Sequence, residues 1–115
     1  MLEDVRIDYA RMRLPFRPEL NQPAGVVHGG AIGTLIDTVV VPAVGSAYPE
    51  RRMMFTVNMQ VHYLDAVRDE DAVAEAWVEK RGRSLVFSRA EVRTASDVLA
   101  ATGALVYRVG PAMPG

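Results

Sequence analysis

Apolar positions change their spacing twice along this chain. At Val5-Arg6-Ile7-Asp8-Tyr9 apolar and charged residues alternate, which predicts a strand continuing to Leu14. Pro15, Pro18, Asn21, Pro23 and Gly25 then interrupt any regular pattern and predict an irregular loop. Beyond it the period lengthens. Apolar residues at positions 32, 35, 36, 39, 40, 43 and 44 share one helical face and predict a helix from Gly30 to Ser46, kinked or cut short by Pro42. After Arg52 the period returns to two. Phe55, Val57, Met59, Val61 and Tyr63 alternate with Thr56, Asn58, Gln60 and His62, the pattern of a half-buried strand. Ala72 to Lys80, Ser84 to Arg93 and Val98 to Val109 predict three more strands, joined by turns at Arg81-Gly82 and Ser96-Asp97. Short connections imply antiparallel neighbours, and the helix is the one element able to cover the sheet. The expected class is α+β, an antiparallel sheet wrapped around one long helix.

Composition narrows the class without changing it. With 115 residues, half of them hydrophobic, the chain is expected to form a single domain over 1–115. Thirteen basic residues against 14 acidic ones leave a charge of −1, which argues against nucleic acid as a partner. The most apolar run, Ile32 to Ala47, is broken by Thr34, Asp37, Thr38, Pro42 and Ser46, so no membrane span is expected. The amino-terminal residues alternate charge with apolarity and predict no secretion signal. The absence of cysteine excludes thiolate chemistry and suits a cytoplasmic setting. Two histidines without ligand spacing predict no metal site.

The helix pattern contains one misfit. Asp37 lies between Leu35-Ile36 and Val39-Val40, where an isolated buried carboxylate would cost several kcal/mol. A bland reading puts it on the solvated edge of the helix or bonds it to a polar group of the core. The residues before it favour a functional one. Gly29 and Gly30 open the helix, where free N–H groups and the helix dipole attract developing negative charge, and a missing side chain lets a carbonyl approach. Such a donor stabilises an acyl-transfer oxyanion by roughly 3–4 kcal/mol. Gly29 and Asp37 are separated by eight residues, about 12 Å of helix axis, whereas donor and base must both lie within roughly 3.5 Å of one reacting group. One helix cannot easily do both. Two antiparallel helices related by a two-fold axis can, which predicts a dimer with two equivalent sites.

Together, His28-Gly29-Gly30, Asp37 nine positions after the histidine, LPFRPELNQPAG, FTVNMQVHYLDAV, GRSLVF and AATGALVYRV resemble the hotdog-fold thioesterases, specifically the phenylacetate-degradation (PaaI-like) group. The resemblance covers most of the chain. It implies a hotdog fold and hydrolysis of an acyl-coenzyme A thioester at a site shared between subunits of a homodimer, with a tetramer as the fuller assembly. Dimer against tetramer stays open. It gives Asp37 the role of base or nucleophile and the Gly29 amide that of carbonyl donor, with Thr56 positioning base or water. An amide side chain also takes part. Gln22 matches that position without a gap and Asn21 with one extra loop residue, and the choice is open. His28 is favoured as a residue fixing the loop over one moving protons. Gly30, with Arg81 and Arg83 beside the turn glycine Gly82, would contact coenzyme A, guanidinium pairing well with phosphate. No cofactor is implied, because coenzyme A belongs to the substrate. The rivals are a hydratase or dehydratase on the same fold, and an acyl-CoA-binding module without turnover. Met53, Met54 and Met59 fit core or acyl-pocket lining, and the acyl group itself is not legible.

Overall fold

In the computed structural model, which describes residues 1–23 and 25–113, one helix lies across a six-stranded antiparallel sheet. The strands are β1 (Leu2–Arg6), β2 (Tyr9–Leu14), β3 (Arg52–Tyr63), β4 (Ala72–Arg81), β5 (Leu85–Thr94) and β6 (Leu99–Ala112). The helix α1 spans Gly29–Gly45, preceded by a 3-10 turn at Pro18–Leu20. The spatial order is β1-β2-β4-β5-β6-β3, so β3 crosses to the far edge and pairs with β6 rather than with the next strand in sequence. No helix among the described residues is long and apolar enough to cross a membrane.

The helix packs closely because the sheet beneath it is small-sided. Ala10, Ala76, Ala90 and Gly103 are successive partners across β2, β4, β5 and β6. All three alanines are buried, and Ile36 is fully buried above them. A Cβ added at Gly103 would stand 2.9 Å from Cγ2 of Ile36, closer than carbon atoms pack. Ile32, Leu35, Val39, Val40 and Val44 complete the apolar face of α1.

Three expectations need correction. The strand expected from Val5 to Leu14 is a hairpin that turns at Ile7-Asp8, with Asp8 at φ 63°. Aspartate tolerates this left-handed geometry, and here the fold holds it in place. The Asp8 N–H donates to Ser46 Oγ (2.7 Å), and its carbonyl accepts from the Val78 N–H (2.9 Å). The helix runs through Pro42 to Gly45, so the proline does not end it. Finally, β3 is not half-buried. Phe55, Val57, Met59 and Tyr63 are 40–57% exposed, because β3 forms the sheet edge.

A bulge in β3 also reverses its alternation. Met54 and Thr56 pair with Val109 and Tyr107, then the register shifts between Thr56 and Asn58, and Met59, Val61 and Tyr63 pair with Leu105, Gly103 and Ala101. The residues facing the helix are therefore even-numbered before the bulge and odd-numbered after it. Such bulges re-aim side chains. Strict alternation would have turned Thr56 away from the helix.

Replacing Gly103 by Val should destabilise the fold by about 1–3 kcal/mol, since Ile36 cannot retreat from a packed core. Urea unfolding tests this: the midpoint is expected to fall at an unchanged m-value.

Candidate active site

Asp37 stands half-buried in the middle of α1, at one wall of a cleft of about 510 Å³. Two hydroxyls fix its carboxylate from below. Thr56 of β3 donates to Oδ1 at 3.0 Å, and Tyr107 of β6 donates to the same oxygen at 2.5 Å. The Tyr107 hydroxyl also lies 2.8 Å from the main-chain carbonyl of Asp37, so one proton bridges two acceptors of a single residue. Tyr107 is only 2% exposed. Burial, followed by the hydrogen bond to the Asp37 carboxylate, raises its phenol above the ordinary tyrosine value, with a smaller opposing contribution from Thr56. Both hydroxyls converge on Oδ1. The other wall is apolar, with Leu2 and Met12 from the hairpin and Val41, Pro42 and Met54 toward the helix end.

The helix start is organised separately. His28 is the N-cap, and its Nδ1 accepts the Gly30 N–H at 3.3 Å. The Tyr63 hydroxyl donates to the Gly29 carbonyl at 2.9 Å, and a Cβ added at Gly29 would stand 3.6 Å from the tyrosine ring. Among the described residues the Gly29 N–H has no acceptor, so it is available as a donor. Gly29 and Asp37 belong to one rigid helix, eight residues and about 12 Å of axis apart.

The remaining sequence candidates fall into different places. Asn21 closes the 3-10 turn and bridges to Val27, with its Oδ1 buried and without a partner. Gln22 is exposed beside it, its N–H bonded to the Val26 carbonyl at 2.8 Å. Neither side chain bonds Asp37 in this chain. Arg83 is exposed in the β4–β5 turn. Arg81 is not a free turn residue. Its guanidinium binds the Asp8 carboxylate at 2.7 and 2.9 Å and the Val44 carbonyl at 3.0 Å. A cation is favoured at a helix C-terminus, so Arg81 is committed to closing that end.

Sequence reasoning missed Tyr107. The available signal was its inward period-two position after Ala101, Gly103 and Leu105, because a buried phenol needs a hydrogen-bond partner.

A single helix carrying an acid, wrapped by one antiparallel sheet, defines the hotdog fold. The chain belongs to the thioesterase superfamily, whose family model matches residues 24–101. It is 34% identical over 101 residues to a candidate esterase of Halobacterium salinarum, covering 84% of this chain and 66% of that relative's length. A conserved protein of Pseudomonas aeruginosa superposes with a TM-score of 0.88 at 30% identity, over 94% of this chain and 86% of its own. A Streptococcus mutans protein solved with acetyl-CoA bound superposes with a TM-score of 0.89 at 15% identity, over 98% and 90% of the two chains.

The raised phenol has a consequence for alkaline stability. A group whose value is raised by folding contributes stability that is complete below its unfolded value and is lost as pH rises past it. Tyr107 is such a group, and so is Tyr9, pushed up to about 12 by burial and by its bond to Glu75. Urea midpoints measured from about pH 9 to about pH 11 should fall above the ordinary tyrosine value near 10, and Tyr107→Phe should lessen the fall.

Proposed function

We propose that this chain is an acyl-CoA thioesterase, similar to the PaaI-like group, that acts as a pair of copies. Each site would join Asp37 of one copy to the Gly29 amide of the other. The observation that carries the reading is the carboxylate itself, held by two hydroxyls at the wall of an apolar cleft. Here Oδ1 takes both bonds, which leaves Oδ2 for chemistry.

The pairing follows from the edge strand. A 12-residue edge with exposed Met53, Phe55, Val57 and Met59 is suited to adding another strand. Thr56 marks the position of Asp37 along β3, and Tyr63 marks that of Gly29. Two β3 edges running antiparallel about a two-fold axis near Gln60 would set Thr56 of each copy opposite Tyr63 of the other. The carboxylate of one copy then meets the helix start of its neighbour, closing the 12 Å gap.

In that setting the thioester carbonyl accepts the Gly29 N–H, which strengthens as the oxygen becomes anionic. Asp37 Oδ2 takes a proton from water as the water oxygen bonds the carbonyl carbon, or attacks that carbon itself to give an anhydride that water then cleaves. The C–S bond breaks, and coenzyme A leaves as a thiolate. Gln22 or Asn21 would orient the participants, and Arg83 would meet the nucleotide phosphates. The acetyl-CoA bound by the Streptococcus neighbour supports coenzyme A as the carrier. A larger groove of about 720 Å³ adjoins the cleft through Val41, Pro42 and Met54 and would give the acyl group apolar room. The reading also implies a cytoplasmic enzyme without a separate cofactor.

Asp37→Ala should lower thiol release from acyl-CoA by roughly 10²–10⁴-fold, with the melting transition preserved. A screen over short, long and aromatic acyl-CoAs supplies the substrate for the assay. Undiminished release by the variant would remove Asp37 from the chemistry.

A further inference from the structure

We infer that Tyr107 is the positioning residue of this site, fixing which carboxylate oxygen of Asp37 reacts; the inference rests on the thioesterase reading above. A mid-helix aspartate has rotatable χ angles, and its two oxygens are interchangeable unless something distinguishes them. Tyr107 does so with one hydroxyl, bound both to Oδ1 (2.5 Å) and to the Asp37 carbonyl (2.8 Å). The side chain and the main chain of the same residue are thereby tied to one atom, which ties the carboxylate plane to the helix axis. Thr56 alone could not do this. It lies on an exposed edge strand and, unlike Tyr107, makes no bond to the Asp37 main chain. Tyr107 is anchored in the buried interior of β6, its ring under the helix.

Two features support a functional over a packing role. A packing residue at this position needs only an apolar ring, and phenylalanine would avoid burying a hydroxyl. The hydroxyl is also directed at the one carboxylate in the cleft. Around Asp37 the hairpin contributes Leu2 and Met12, the helix Val41 and Pro42, and β3 Met54 and Thr56, none of which titrates. Among the described residues the phenol is the only titratable partner that Asp37 meets there. Its hydroxyl holds that carboxylate in the orientation that leaves Oδ2 to accept a proton or attack a carbonyl.

The test is Tyr107→Phe, which keeps the ring and removes the hydroxyl. Thiol release should show kcat reduced by about 10- to 100-fold with KM changed less than about twofold, because the carboxylate is misplaced while the binding surfaces remain. Here kcat is counted per folded molecule, with the folded fraction read from the melting transition of each variant. A merely structural role would lower the melting temperature and leave kcat per folded molecule unchanged. Unchanged kcat per folded molecule beside an active wild type would overturn the positioning role and leave the thioesterase reading standing. A wild type that releases no thiol from any acyl-CoA would overturn that reading, and this inference with it. If the phenylalanine variant does not fold, a fluorotyrosine at 107 keeps ring and hydroxyl and is a stronger donor. Its kcat per folded molecule should change more than about twofold with the altered donor while KM holds, and an unchanged kcat would overturn the proposal.

Discussion

The closeness of one helix to one sheet governs this molecule. Ala10, Ala76, Ala90 and Gly103 form a shallow row beneath α1, and the helix settles onto it until Ile36 occupies the space that a side chain at 103 would need. Burial of the apolar helix face, at roughly 25 cal/mol per Å², drives that approach. The approach in turn allows a hydroxyl on the sheet to touch both the main chain and the carboxylate of a residue on the helix. With larger side chains in the row the helix would stand higher, and Asp37 would lose its fixed orientation. Packing and chemistry share a single spacing.

The edge strand works against its own sequence pattern. Regular alternation along Phe55 to Tyr63 would bring Phe55 and Val57 under the helix and turn Thr56 out to solvent. The bulge at Val57 instead sets Thr56 opposite Tyr107, beneath Asp37. Apolar side chains are left exposed along an unpaired edge. In an isolated monomer that arrangement is a liability for aggregation. In the proposed pair of copies the same edge would become the contact surface, so the local irregularity beneath Asp37 also leaves the surface that would complete the site. Where one local rule is broken in an otherwise consistent fold, a functional site is the usual reason.

The sequence patterns that proved legible are those set by near neighbours. Helical spacing from Ile32 to Val44 located α1 within one residue at each end, and the alternation and turn glycine of the last three strands located β4, β5 and β6. The glycine-rich start and the misplaced acid marked both halves of the candidate site. What stayed hidden depends on distant partners. The turn at Asp8 is held by Ser46 and Val78, so the N-terminal alternation looked like one strand. Arg81 read as a surface cation because nothing local reveals Asp8 and the helix end beside it. Tyr107 lies 70 residues from Asp37, and no short-range pattern joins them.

Gly29 and Asp37 are held rigidly apart in one chain, so the central claim is that two chains share each site. Mixed pairs test it most directly. Gly29→Pro removes the N–H and adds a ring, at a first helical position where proline fits, and Asp37→Ala removes the acid. Each variant alone should be inactive. Refolded together they should recover about a quarter of wild-type activity, since about half of the random pairs are mixed and each mixed pair holds one intact site of two. A mixture no more active than its components would contradict a shared site.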